Sequence, residues 1–413
     1  MSSFWRIFWL ETVALWRGGT AVLLLAASAG WILLLPHVLI GDGTSEGVRQ
    51  MSVRYGLGGV FALLVVSLLA AATGAIAAER EAKRLQLTQV RPVPFVLIAW
   101  GKFLALTALG ALVLAVAAWM TLDAESCARP CNHVYRPVLE SPREEAEKMY
   151  DIYMADPDTP PEARQASRGA IVRMLTQRAR DRYVTVPTNA VESWTFTGVP
   201  VSGPLTARFK FTNMFDMRAE VRGHVSFGGA TGSVSNITRT AVTVRLEGDP
   251  AGDGVLSFEN RGTGAVMLRP RQDVELLVPA DGFTANLVRA TLEMIAVLAL
   301  VIAFGVFLGA GLSRPVALFV ALVLLAVSEM SPSVIDQYPD AMESDRVDRI
   351  GLYLTRGVER VTHPVSALSP LGRLADDDCV EGREVVRTFV VDVLVLPFLL
   401  SLAAGFLLTR KAE

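Results

Sequence analysis

Residues Pro94–Leu122 read PFVLIAWGKFLALTALGALVLAVAAWMTL, with Lys102 the one charged side chain in the run. A helix needs about 20 apolar residues to cross about 30 Å of hydrocarbon. A run this long with a single charge reads as a membrane span. It must be a helix, because only a helix satisfies its own backbone N–H and C=O groups in lipid.

Five more runs of the same kind lie on either side. Gly19–Ile40 and Gly56–Ala78 precede it; Leu287–Leu312, Pro315–Val334 and Val385–Leu408 follow. The fourth and fifth are separated only by a turn at Ser313-Arg314-Pro315, with Pro placed where a new helix can begin. Hydrophobic residues make up 52% of the chain and charged residues 19%, where soluble domains stand nearer a quarter charged. The net charge of −2 gives no basic surface for nucleic acid. The expected fold is an α-helical integral membrane protein of six transmembrane helices, carrying an inserted α+β extracytoplasmic domain. Gly56, Gly59, Gly74, Gly305, Gly309 and Gly311 either let spans approach closely or are ordinary span composition.

Lys and Arg near span ends set the orientation. Arg6, Arg17, Arg80, Lys83, Arg84, Arg91, Arg314, Arg410 and Lys411 all fall on one side if the N-terminus is cytoplasmic. Both termini are then inside, and the long segment 123–286 is outside. The division is residues 1–122 with spans one to three, the inserted domain 123–286, and residues 287–413 with spans four to six and an outer segment 336–384. No cleavage site follows a short apolar core near the N-terminus, so the first span is expected to stay as an anchor.

Within the insertion, Ser141 followed by Pro142 and the acids Glu144 and Glu145 reads as a capped helix start. A second helix is expected over about Glu162–Arg182, with Ile171, Met174, Leu175 and Ala179 on one face. The period then changes to two. Thr206–Phe211, Ala219–Val225, Ala241–Leu246, Gly254–Phe258 and Val274–Val278 read as strands between Gly, Asp, Asn and Pro, the pattern of a β-sandwich or jelly-roll-like unit. In the outer segment, Asp345–Glu359 reads as a helix lying at the membrane surface.

There is no phosphate-binding loop: Gly101-Lys102 is followed by Phe103 and opens a span. Dinucleotide, zinc-protease and nucleophile-elbow patterns are also missing. Neither a catalytic site nor a bound cofactor is expected. Cys127, Cys131 and Cys379 are too few for a disulfide scaffold. They allow a Cys127–Cys131 bridge, a bridge from either to Cys379, or free thiols. Cys127, Cys131 and His133 make an incomplete zinc set, so no metal site is assigned.

The segment Glu79–Lys102 is the most informative for function. Glu79-Arg80-Glu81 leads through Leu85 and Leu87 to Pro92-Val93-Pro94 and then Gly101-Lys102. By itself it is either a charged loop that fixes topology or a short surface helix able to dock on a cytosolic partner. In order and spacing it resembles the coupling region of ABC-2-type transporter permeases, although Lys83-Arg84 stand where that family often has Gly-Thr. The amphipathic stretch through Glu11 and Arg17 resembles the family's interfacial helix. Ser366–Leu371 before the last span resembles its final outer segment. The likeness covers the spans and short connections and leaves out 123–286.

The resemblance implies a permease subunit in a bacterial cytoplasmic (inner) membrane. It would pair with a second permease chain, identical or different, and with a separate cytosolic ABC ATPase subunit, and would serve export. Glu79, Arg80, Glu81 and Arg84 would make polar contacts to the ATPase, and Leu85 and Leu87 would pack into its cleft. Glu293, Glu329 and Asp392 are acids in or near spans. They are either substrate-path residues or side chains reaching toward the water at the span ends. A rival reading is a membrane anchor that displays the β-rich domain as a sensor or binding module. A membrane enzyme is a third class, and four scattered histidines argue against it.

Overall fold

The computed structural model describes residues 3–38, 47, 50–82, 94–122, 129–157, 159–160, 166–200, 204–212, 220–237, 241–248, 253–337 and 370–412. In chain order, α1 (Ser3–Arg17) and α2 (Thr20–Val38) are followed by a π-helical turn, Ser52–Leu57, that runs into α3 (Gly58–Glu81), and then by α4 (Phe95–Met120). Next come β1 (Pro130–Tyr135), α5 (Pro142–Ala155) and α6 (Arg168–Arg180). The strands β2 (Val184–Val186), β3 (Val191–Phe196), β4 (Leu205–Lys210), β5 (Glu220–Phe227), β6 (Ala230–Ile237), β7 (Ala241–Leu246), β8 (Gly254–Asn260), β9 (Val266–Leu268) and β10 (Val274–Gly282) follow. The chain continues with α7 (Phe283–Gly311), α8 (Arg314–Gln337), α9 (Pro370–Ala375), α10 (Gly382–Phe389), a second π-helical turn at Val390–Val395, and α11 (Leu396–Ala412).

Two compact units result. One holds Met1–Arg129, Gly282–Pro332 and Tyr353–Glu413; the other holds Pro130–Asp281 and Ser333–Leu352.

In the helical unit, four helices are long and apolar enough to cross a membrane: Ser52–Glu81, Phe95–Met120, Phe283–Gly311 and Gly382–Thr409. Phe4–Arg17 and Thr20–Leu35 together make a fifth candidate, bent by 58°. The bend has a local cause. Gly18 N–H donates to Ala14 O at 2.8 Å, and Gly19 takes φ +76°, the left-handed conformation that ends a helix and that glycine adopts without strain. The expected six spans are therefore not all reproduced. The fifth expected span falls on α8, whose described apolar part, Arg314–Val327, is shorter than a crossing.

Large apolar side chains stay exposed on these helices, among them Leu23, Leu34, Phe319, Phe398 and Phe406. That is the surface of a helix bundle in lipid and not of one in water. The chain is an integral membrane protein.

α7 is the hub, packing against α3, α4, α10 and α11. At Gly309 an added Cβ would stand 2.4 Å from the Thr73 carbonyl oxygen, so α7 and α3 meet backbone to backbone.

In the other unit, two four-stranded sheets are ordered β1-β10-β4-β7 and β3-β8-β5-β6, and β2 pairs with β9. The pairings β10–β4, β4–β7, β3–β8, β5–β6 and β5–β8 are antiparallel. Inward residues of both sheets share one core, with Phe209 and Leu276 from the first and Trp194, Phe227 and Phe258 from the second. This is the sandwich that the two-residue period implies.

α5 begins with the expected capping box: Glu144 N–H donates to Ser141 Oγ, and the Ser141 N–H donates back to the Glu144 carboxylate. α6 begins at Arg168, capped by Ser167, and not near Glu162. The expected surface helix Asp345–Glu359 lies outside the described residues.

Candidate functional site: a charged cluster around Lys102

Lys102 sits in the second turn of α4 and is only 3% exposed. A lone ammonium buried in an apolar helix needs counter-charge. Two carboxylates supply it. Lys102 Nζ donates to Glu11 Oε2 on α1 at 3.0 Å and to Glu79 Oε1 at the end of α3 at 2.9 Å. The neighbouring Gly101 makes room for this. A Cβ there would stand 2.8 Å from Ile7 Cγ2, so α1 lies directly on α4, and Glu11 follows one turn after Ile7.

The next two residues of α3 tie down other helix ends. Arg80 donates to the carbonyl oxygens of Ala310 at 2.7 Å and Leu312 at 2.5 Å, which the end of α7 leaves without helical partners. Glu81 Oε1 accepts from the Arg314 N–H at 3.3 Å, at the positive start of α8. Glu79-Arg80-Glu81 and Lys102 thus join α1, α3, α4, α7 and α8 at the point where the chain leaves α3 and re-enters α4.

Of the predicted coupling residues, Glu79, Arg80 and Glu81 all belong to this cluster. Arg84, Leu85 and Leu87 lie outside the described residues. Sequence reasoning missed Glu11 and Lys102 as partners, although an isolated lysine inside an uncharged span is the signal that a carboxylate must meet it.

The predicted intramembrane acids lie elsewhere. Glu293 on α7 and Asp392 in the second π-helical turn are both fully buried. Glu329 lies on α8, with its side chain outside the described residues. Near the start of α7, Asn286 is also fully buried. It donates to Asp378 O at 2.8 Å and accepts from the Val380 N–H at 2.7 Å, fixing the segment that leads into α10. Cys131 and Cys379 are both disulfide-bonded, and Cys127 lies outside the described residues.

These features define an integral membrane helix bundle with a β-sandwich unit and a buried ionic cluster. Comparison with protein-family models, curated proteins and solved structures finds no match for the chain.

Proposed function

We propose that this chain is the transmembrane permease subunit of an ABC-type transporter, an exporter driven by a separate cytosolic ATPase chain. The observation that carries the reading is the cluster around Lys102. The segment between α3 and α4, which resembles a coupling region, is flanked by Glu79-Arg80-Glu81 on one side and Lys102 on the other. Lys102 is bonded to Glu79 and to Glu11 on α1, Arg80 to the end of α7, and Glu81 to the start of α8. Both ends of that segment are therefore tied by side-chain bonds to α1, α7 and α8.

In this reading Arg84, Leu85 and Leu87 form the surface that docks on the ATPase. Glu79, Arg80 and Glu81 transmit its movement and do not themselves bind the ATPase. The full arrangement is two permease chains, identical or different, on two ATPase chains in a bacterial cytoplasmic membrane. α2 and α8 supply the first and fifth of six spans, with the β-sandwich outside. Transport then consists of two states of the bundle, biased by ATP through the docked loop.

The test is affinity purification of the tagged chain in mild detergent, with the intact sequence and with Leu85→Asp and Leu87→Asp. A stoichiometric nucleotide-binding chain that is recovered with the first and lost with the second supports the proposal. A clean preparation from both, with unchanged folding, refutes it and favours a membrane anchor for the β-sandwich.

A further inference from the structure

We propose that Glu293 and Asp392 are proton-binding sites inside the helical unit, two acid stations between α7 and the α10–α11 span. Both residues are 0% exposed, and neither carboxyl has a hydrogen-bond partner on either oxygen among the described residues. Their sequence neighbours Met294 and Val393 belong to one apolar cluster. A buried carboxylate with no partner carries the desolvation cost of a full charge, and binding a proton removes most of it.

The two spans run side by side in the same direction. Asn286 is bonded to Val380 at one end, and the Cβ position of Gly311 lies 3.5 Å from Leu407 Cδ1 at the other. Glu293 follows Asn286 by seven residues and Asp392 follows Val380 by twelve. At 1.5 Å per residue their depths differ by only about 8 Å. Asp392 also sits in the π-helical turn Val390–Val395, an irregularity that frequently marks functional positions within helices.

The surrounding charges do not neutralise these acids. The groups that act on Glu293 through space are Arg373 on α9 and Glu384 on α10, and these already pair with each other at 2.9 Å. Lys102 and Arg80, on the other helices packed against α7, are bonded to Glu11, Glu79, Ala310 and Leu312. Arg54, in the π-helical turn before α3, pairs with Asp376 at 3.7 Å. Among the described residues no charged group acts on Asp392 in the same way. A metal ion would need more oxygen ligands than isolated carboxyls offer, and no group of three or more His, Cys, Asp or Glu is assembled among the described residues. The ligand whose chemistry fits is the proton.

The test is labelling of the purified full chain in lipid with dicyclohexylcarbodiimide, read by peptide mass spectrometry. This apolar reagent reacts with the acid form. The carboxyl proton moves to a carbodiimide nitrogen, the carboxylate oxygen adds to the central carbon, and the adduct rearranges to an N-acylurea that retains the whole reagent. Glu293 and Asp392 are expected each to gain one reagent. Once the acid form is the minor one, labelling should fall about tenfold per pH unit. Glu293→Gln and Asp392→Asn should each lose their own label and keep the other, with the fold of each variant checked by circular dichroism. No adduct at either residue in the folded chain, when both are labelled after unfolding, overturns the proposal. So does protection by Na⁺ or Ca²⁺ at fixed pH, which would assign the carboxyls to a metal cation. An adduct at one residue alone overturns the assignment of the other. None of these outcomes depends on an ATPase partner.

Discussion

Replacing Lys102 with Met tests the ionic cluster most directly. The substitution keeps the length and apolar stem of the side chain and removes its charge. Glu11 and Glu79 are then left facing each other. Each holds an oxygen within 3.0 Å of Lys102 Nζ, so those oxygens lie no more than about 6 Å apart. At an effective dielectric constant of about 20, two like charges at that distance repel by about 3 kcal/mol. The side chains are 23% and 35% exposed, so part of the repulsion relaxes into solvent, and about 2 kcal/mol is expected to remain. Glu79→Gln in the same chain removes the repulsion and should recover most of that loss, whereas Glu79→Gln alone costs about 1–2 kcal/mol for a lost charged hydrogen bond. The assay is SDS unfolding of the detergent-purified chain followed by fluorescence of its seven tryptophans, run as a double-mutant cycle. If Lys102→Met unfolds within about 0.5 kcal/mol of the parent, or if the two substitutions simply add, Lys102 does not hold the two acids together.

Gly309→Ala should destabilise the bundle by about 1–3 kcal/mol, because its Cβ would press on the Thr73 backbone. Gly311→Ala, whose Cβ would meet Leu407 Cδ1 at an ordinary 3.5 Å, should be close to neutral in the same unfolding assay. In the β-sandwich, Asn260 is fully buried, donates to Val186 O and Gly264 O, and accepts from the Gly262 N–H, all at 2.9 Å. Asn260→Asp puts an acceptor against two carbonyls, and about 2–4 kcal/mol should be lost in chemical denaturation monitored by strand circular dichroism. Arg261 bonds to Glu259 and holds its carboxyl below the usual carboxylate range. The stability this gives is present above the carboxyl's unfolded value and is lost as pH falls through its lowered folded value. Glu259→Gln should flatten the acid side of the unfolding midpoint against pH, and an unchanged profile would contradict the contact.

The sequence by itself determined where the helices of the membrane unit lie, because a backbone in lipid has to close its own hydrogen bonds and apolar runs of that length admit little else. It also determined the capped start of α5, since Ser141, Pro142 and Glu144 act within one turn. The strands β4, β5, β7 and β8 were legible because buried residues recur at every second position, and β10 was legible as a short apolar run whose first five residues are all buried. The short β2 and β9, and the small, polar β6, were not. β2 and β9 pair with each other across a long stretch of chain, and β6 (ATGSVSNI), although it follows β5 directly as a hairpin, buries only the small Ala230 and Val234 among its described side chains. The ends of the first span depended on the φ of Gly19, a matter of backbone conformation.

Only the tertiary structure decided which charges meet. Lys102 pairs with acids 91 and 23 residues away, and Arg80 reaches carbonyls 230 and 232 residues on. Such contacts are made by helix packing, and no local pattern encodes them. The same holds for Glu293 and Asp392. The sequence placed them in spans, where reaching toward water was one of two possible fates. Only the packing of the helices into one bundle shows both carboxyls to be buried.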